Sequence, residues 1–118
     1  YQVFEVNPYL RIIEPEISVI GRKVVAKFKL EQVTSNEVYR ISLFAHSHID
    51  VSNKLNIVNR TEELNRSITD GEAFELSINL EDYTSTLVPG KSYYFRIGAQ
   101  SHGSETKYNY SASVQLDI

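Results

Sequence analysis

The sequence predicts an all-β domain, a two-sheet antiparallel sandwich of about seven strands, and three observations carry that expectation. Apolar and polar residues alternate with period two in segment after segment, which is the pattern of a sheet with one buried and one wet face. Turn-forming pairs punctuate those segments at short intervals, as hairpins and sheet crossings require. Helical periodicity competes nowhere over a useful length, the one stretch able to wind being Asn59 to Arg66.

In chain order, Val3 to Val6 and Ile17 to Ile20 read as short edge strands, because Pro8 and Pro15 interrupt this third of the chain and proline is confined to sheet edges and bulges. Across 23–30, Val24, Ala26, Phe28 and Leu30 share one face, with Lys27 and Lys29 opposite. Ser35-Asn36 turns this strand into the next. Across 38–46, Tyr39, Ile41, Leu43 and Ala45 stand against Arg40, Ser42 and His46. Residues 47–66 are the least regular, so a loop is expected there, with a short strand near Leu55 to Val58. A single helical turn over Thr61-Glu62-Glu63-Leu64 could follow a Thr or Asn cap. Asp70-Gly71 then signals a two-residue hairpin. Phe74, Leu76, Ile78 and Leu80 alternate with Glu75, Ser77 and Asn79. Pro89-Gly90 marks a turn before 92–100, where Tyr93, Phe95, Ile97 and Ala99 alternate inward. Ala112, Val114, Leu116 and Ile118 do the same over 110–118.

Length and composition bound the function. The 118 residues suit one domain with one core, and the chain reads as a single domain over 1–118. It begins at Tyr1 without an initiator Met or a signal-peptide pattern, so a longer parent polypeptide is expected. The net charge is −3 and no Lys/Arg cluster breaks it, which disfavours nucleic acid and anionic membrane as partners. No apolar run approaches the ~20 residues of a bilayer span. Cysteine is absent, which removes disulfides, thiolate nucleophiles and Cys-containing zinc sites while leaving the compartment open.

Few residues assemble into chemistry. His46 and His48 lie two apart, so on a strand they project to one side and could share a metal. The run His46-Ser47-His48-Ile49-Asp50 resembles a metallo-hydrolase motif, but Val51 stands where its last His belongs, and His102 would have to come from another loop. Two exposed His at a strand end is the simpler reading, and no cofactor is expected. There is no Gly-x-Ser-x-Gly elbow and no phosphate-cradling glycine loop, and the pairs Glu14/Glu16 and Glu62/Glu63 read as solvated surface. An enzyme is therefore not expected.

Aromatic residues are the richer class, with eight Tyr and five Phe. Alternation places Phe44 and Tyr94 outward on neighbouring strands, with Val38 and Arg96 nearby, as an exposed ligand or interface surface. Tyr108 and Tyr110 are further candidates for stacking on a sugar ring. Alternatively, these rings lie flat on the sheet or pack on a neighbouring domain. Asn59, Asn65 and Asn109 each begin an Asn-x-Ser/Thr triplet, of consequence only in a eukaryotic secretory setting. No Arg-Gly-Asp tripeptide is present.

The run Leu87-Val88-Pro89-Gly90-Lys91-Ser92-Tyr93-Tyr94-Phe95-Arg96-Ile97-Gly98-Ala99 resembles the E–F corner and strand F of fibronectin type III domains, which are immunoglobulin-like sandwiches. The resemblance implies that Tyr93 is the tyrosine corner, its ring in the core and its hydroxyl on upstream backbone. That family usually carries a Trp on strand B. Here there is none, and Phe28 stands in. Phe4-Glu5-Val6-Asn7-Pro8-Tyr9, with Gly21 and the strand Val24 to Leu30, resembles the C-terminal immunoglobulin-like domain of an uncharacterised Bacteroidetes family of exported lipoproteins linked to glycan uptake. That resemblance implies a periplasmic or outer-membrane-surface setting. The expected function is a non-catalytic accessory or interaction module that contacts a neighbouring domain or another surface protein. The alternative is a carbohydrate-binding module using exposed aromatic residues, with a metal-dependent hydrolase at His46 and His48 a distant third.

Overall fold

A computed structural model describes residues 10–32, 37–52, 55–69, 71–101 and 108–118. Among them, eight strands run in the order β1 (Leu10–Ile20), β2 (Lys23–Gln32), β3 (Val38–His46), β4 (Val58–Arg66), β5 (Glu72–Asn79), β6 (Ser92–Ser101), β7 (Tyr108–Tyr110) and β8 (Val114–Asp117), with a 3-10 turn at Leu80–Tyr83. They form two antiparallel sheets. One has the order β1-β2-β5. The other has β4-β3-β6-β7, with β8 also paired to β6. This is the two-sheet antiparallel sandwich that the alternation predicts, of the immunoglobulin-like, fibronectin type III kind that the resemblance of residues 87–99 implies.

The core is what the alternating residues build. Val24, Ala26, Phe28 and Leu30 face Ile41, Leu43, Ala45, Phe95, Ile97 and Ala99 across the sandwich, all at most 2% exposed. Phe28, in the place where the related fold carries Trp, stacks on Phe74 at 6.0 Å between ring centres.

Two β-bulges correct the simple alternation. Ile12 and Ile17 are an odd number of residues apart, yet both pack on the core. The register slips between Ile13 and Glu16, with Glu14 at φ 50, and an extra residue reverses which face the chain presents. Pro15 therefore sits inside one long edge strand instead of ending a short one, while Val3 to Val6 lies outside the described residues. A second slip, between Val38 and Arg40, turns Val38 inward to 0% exposure. It leaves Tyr39 half-buried beneath the Arg40 guanidinium, 4.6 Å from the ring centre. The expectation that Val38 lies on the outer face fails for this reason.

Three further expectations change. Asn59 to Arg66 is part of strand β4, with neither helix nor loop there. Only Val58 and Leu64 of this edge strand meet the core, so its alternation is too faint to read. Asp70 lies outside the described residues, and the segment it begins is a crossing and not a hairpin. β4 and β5 belong to different sheets, and the Gly71 amide donates to Leu30 O at 2.9 Å. The last expected strand is broken into β7 and β8 at Ser111, whose hydroxyl accepts from the Ile97 amide at 3.1 Å and replaces a rung of the ladder. The Ser35-Asn36 turn lies outside the described residues.

Pro89-Gly90 does form a turn. Gly90 has φ 88 and the Lys91 amide donates to Val88 O at 3.2 Å, the type II geometry that asks for glycine at its third position.

Candidate functional site

The outer face of the β4-β3-β6-β7 sheet is where sequence reasoning places the aromatic surface. The register sets Phe44 directly across from Arg96, and His46 across from Tyr94. Phe44 is only 1% exposed. The chain leaving β3 folds back over this face and buries Val51 completely, while the Tyr110 ring tilts against Phe44 at 6.2 Å. Arg96 ties the layers together. Its Nε donates to Ser111 O at 2.7 Å and its Nη1 to Val51 O at 3.3 Å, and its guanidinium lies 4.7 Å from the centre of the Tyr110 ring.

Phe44, Arg96, Val51 and Tyr110 thus form a second small core on the outside of the sheet. The expectation of an exposed Phe44 surface is corrected, because a loop too irregular to place from sequence covers it. Tyr94 remains half-buried beside His46. The backbone of Tyr108 opens β7, and its side chain lies outside the described residues.

His46 and His48 have a local task. The His48 amide donates to His46 Nδ1 at 3.0 Å, and the Asp50 amide to His48 Nδ1 at 3.1 Å. Each imidazole closes a turn through its Nδ1. His102 lies outside the described residues, and among the described ones no three His, Asp or Glu side chains cluster as metal ligands would. Of the sequons, Asn59 and Asn65 are exposed. The Asn109 side-chain nitrogen is buried without a hydrogen-bond partner, so it cannot accept a glycan in this fold.

Sequence reasoning missed Tyr83. It is 36% exposed, the single aromatic side chain in the exposed class among the described residues. Its backbone is fixed, since its carbonyl accepts from the amides of Thr86 at 3.0 Å and Leu87 at 2.7 Å. It lines an open cleft of about 350 Å³ with Lys23, Arg60, Asn79 and Asp82. The available signal was its position in the polar run Glu81 to Thr86, where an aromatic ring has no core face to fill. No helix among the described residues is long and apolar enough to cross a membrane.

A two-sheet sandwich with a tyrosine corner at Tyr93 and a polar flank cleft defines an immunoglobulin-like module. The chain belongs to the DUF3823_C family, a domain of unknown function, whose family model matches residues 10–115. It is similar over 94% of its length to a Bacteroides uniformis protein described as a candidate carbohydrate-binding protein, at 28% identity and a TM-score of 0.86. The match spans 58% of that protein's own length. DUF3823 family proteins from Parabacteroides merdae and Bacteroides ovatus share the fold, with TM-scores of 0.77 and 0.75 at 22% and 18% identity. Each of these matches covers 93% of this chain, and 53% and 55% of those proteins. These three proteins come from the Bacteroidetes, the group that the sequence resemblance implied. No curated protein matches the chain.

Proposed function

We propose that the domain is a non-catalytic module of an exported bacterial protein and that it binds carbohydrate. The observation that carries this reading is the likeness over 94% of the chain to the Bacteroides uniformis protein described as a candidate carbohydrate binder. A surface lipoprotein within a glycan-uptake system is the setting this reading favours. A calorimetric screen of the protein against plant, host and microbial oligosaccharides tests it. Saturable binding of at least one class is expected, and no binding at millimolar glycan overturns the reading.

A second reading, docking to another surface protein, is favoured by one observation. Ile49, Leu55 and Ile57 are 55%, 39% and 41% exposed along the connection between β3 and β4, more apolar surface than one connection ordinarily leaves wet. Replacing the three with Ser and measuring co-purification of cell-envelope partners separates the readings, because glycan binding is unaffected if they are the docking surface.

A further inference from the structure

We propose that the flank cleft between β4 and the end of β5 is a subsite for an acidic sugar, with Tyr83 as the stacking platform and Arg60 and Lys23 as the anion-binding pair. The inference rests on the carbohydrate reading above and names its site and ligand class.

The topology creates the cleft. β4 and β5 follow each other in the chain but belong to different sheets, so no ladder of hydrogen bonds closes the seam between them. Along β4, Val58 and Arg60 share a face, with Val58 buried and Arg60 opposite the fully buried Leu43. Arg60 is exposed, so a cation stands at the mouth of the sandwich where apolar side chains would otherwise meet. Lys23, paired in register with Asn79, reaches the same cleft from the other sheet, and Asp82 and Tyr83 close it from the 3-10 turn.

The chemistry is that of a sugar site. The exposed Tyr83 ring offers an apolar face to the C–H side of a pyranose, and tyrosine serves well because one end stays wet. Asn79 Oδ1 is engaged by the Glu81 amide at 3.1 Å, which leaves its NH₂ group to donate. Asp82 can accept from sugar hydroxyls.

The charge balance then selects among sugars. Ion pairs of Lys and Arg among the described residues fall elsewhere, at Arg11–Glu31, Lys29–Glu14 and Arg66–Glu72. Lys23 and Arg60 are therefore two uncompensated cations beside one carboxylate, in a chain whose net charge is −3. A guanidinium matches a carboxylate or sulfate through two parallel hydrogen bonds. The other groove, about 420 Å³ and lined by Glu14, Glu16, Lys27, Lys29 and Glu75, lacks this character. Lys29 lies 3.7 Å from Glu14, and Lys27 stands between Glu16 and Glu75 in the register. Its aromatic lining is Phe28 and Phe74, which are buried and half-buried and stack on each other.

The test is calorimetry on the protein with trigalacturonate, 3′-sialyllactose, a sulfated chondroitin disaccharide and neutral maltotriose. The wild type is compared with Tyr83→Ala, Arg60→Gln and, as control, Tyr94→Ala. Tyr83 and Arg60 are on the surface, so unchanged melting temperatures in these two variants keep the comparison valid, and the half-buried Tyr94 control is used well below its own melting temperature. Expected are binding of an acidic probe in preference to maltotriose, a loss of at least tenfold in both Tyr83→Ala and Arg60→Gln, and no change in Tyr94→Ala. The acidic probe that binds best identifies carboxylate or sulfate as the anion. Glycan binding that survives both cleft variants overturns this site and leaves the carbohydrate reading standing. Equal binding of maltotriose overturns the acidic specificity. No binding of any sugar, here or in the wider screen, overturns both.

Discussion

The Tyr93 hydroxyl accepts a hydrogen bond from the Val88 amide at 2.9 Å, while the Tyr93 ring is only 6% exposed in the core. One side chain thus fills the interior and fixes the corner that leads into β6. Tyr93→Phe keeps the ring and strands the amide, which costs about 1–2 kcal/mol. Urea denaturation is expected to show a lower midpoint with an unchanged slope.

Phe44 behaves as a core residue despite its place on the outer face. Phe44→Ala is expected to destabilise by about 3–5 kcal/mol, as for any fully buried phenylalanine. Tyr94→Ala, two residues along the same face from Arg96 and half-buried, costs distinctly less. Equal and small losses from both, measured by chemical denaturation, would contradict a second core at this place.

Arg96→Met keeps the aliphatic length but removes two hydrogen bonds to carbonyls and the cation over Tyr110. The expected loss is about 2–3 kcal/mol. Hydrogen exchange of the amides near Val51 and Ser111 should rise in this variant, because Arg96 is what pins both segments to the sheet.

Arg66 and Glu72 pair at 2.6 Å across the crossing from one sheet to the other. The bonds from Arg66 and the Thr69 amide hold the Glu72 carboxyl below its ordinary value. A carboxyl depressed in the folded state stabilises above its unfolded pKa, near 4.3 for glutamate. That contribution is lost as pH falls from about 4.3 through the lower folded value. Melting temperature followed from neutral pH downward should fall less steeply for Glu72→Gln than for the wild type. The difference should shrink in about 0.5 M salt, because both groups are at the surface.

Gly90 isolates backbone strain from crowding. A methyl group added there would meet no atom within 4 Å, yet φ is 88. Gly90→Ala is expected to cost about 1–2 kcal/mol from the left-handed backbone alone, and Gly90→Asn less, since asparagine tolerates that region better.

What the sequence revealed follows burial on one face. β2, β3, β5 and β6 fall within a residue or two of their expected bounds, because each presents a continuous apolar row to the core. The tyrosine corner was legible for a related reason: Pro89, Gly90 and Tyr93 are a local motif. The two bulges were not, since a parity change at Pro15 or Tyr39 is decided by partners on other strands. The burial of Phe44 was equally hidden, because Tyr110 reaches it from a distant segment and the chain that follows β3 carries no period to read. β4 carries polar residues on both faces, as an edge strand can, and so gave no period to read.

The interruption in β1 has a consequence for how copies of this domain can crowd together. Proline has no amide hydrogen, and the reversed backbone at Glu14 breaks the straight line of carbonyls beside it. A strand from another molecule that tried to extend the smaller sheet at this rim would lose its rungs midway along. Side-by-side crowding of copies therefore finds no continuous template for sheet extension along the β1 rim.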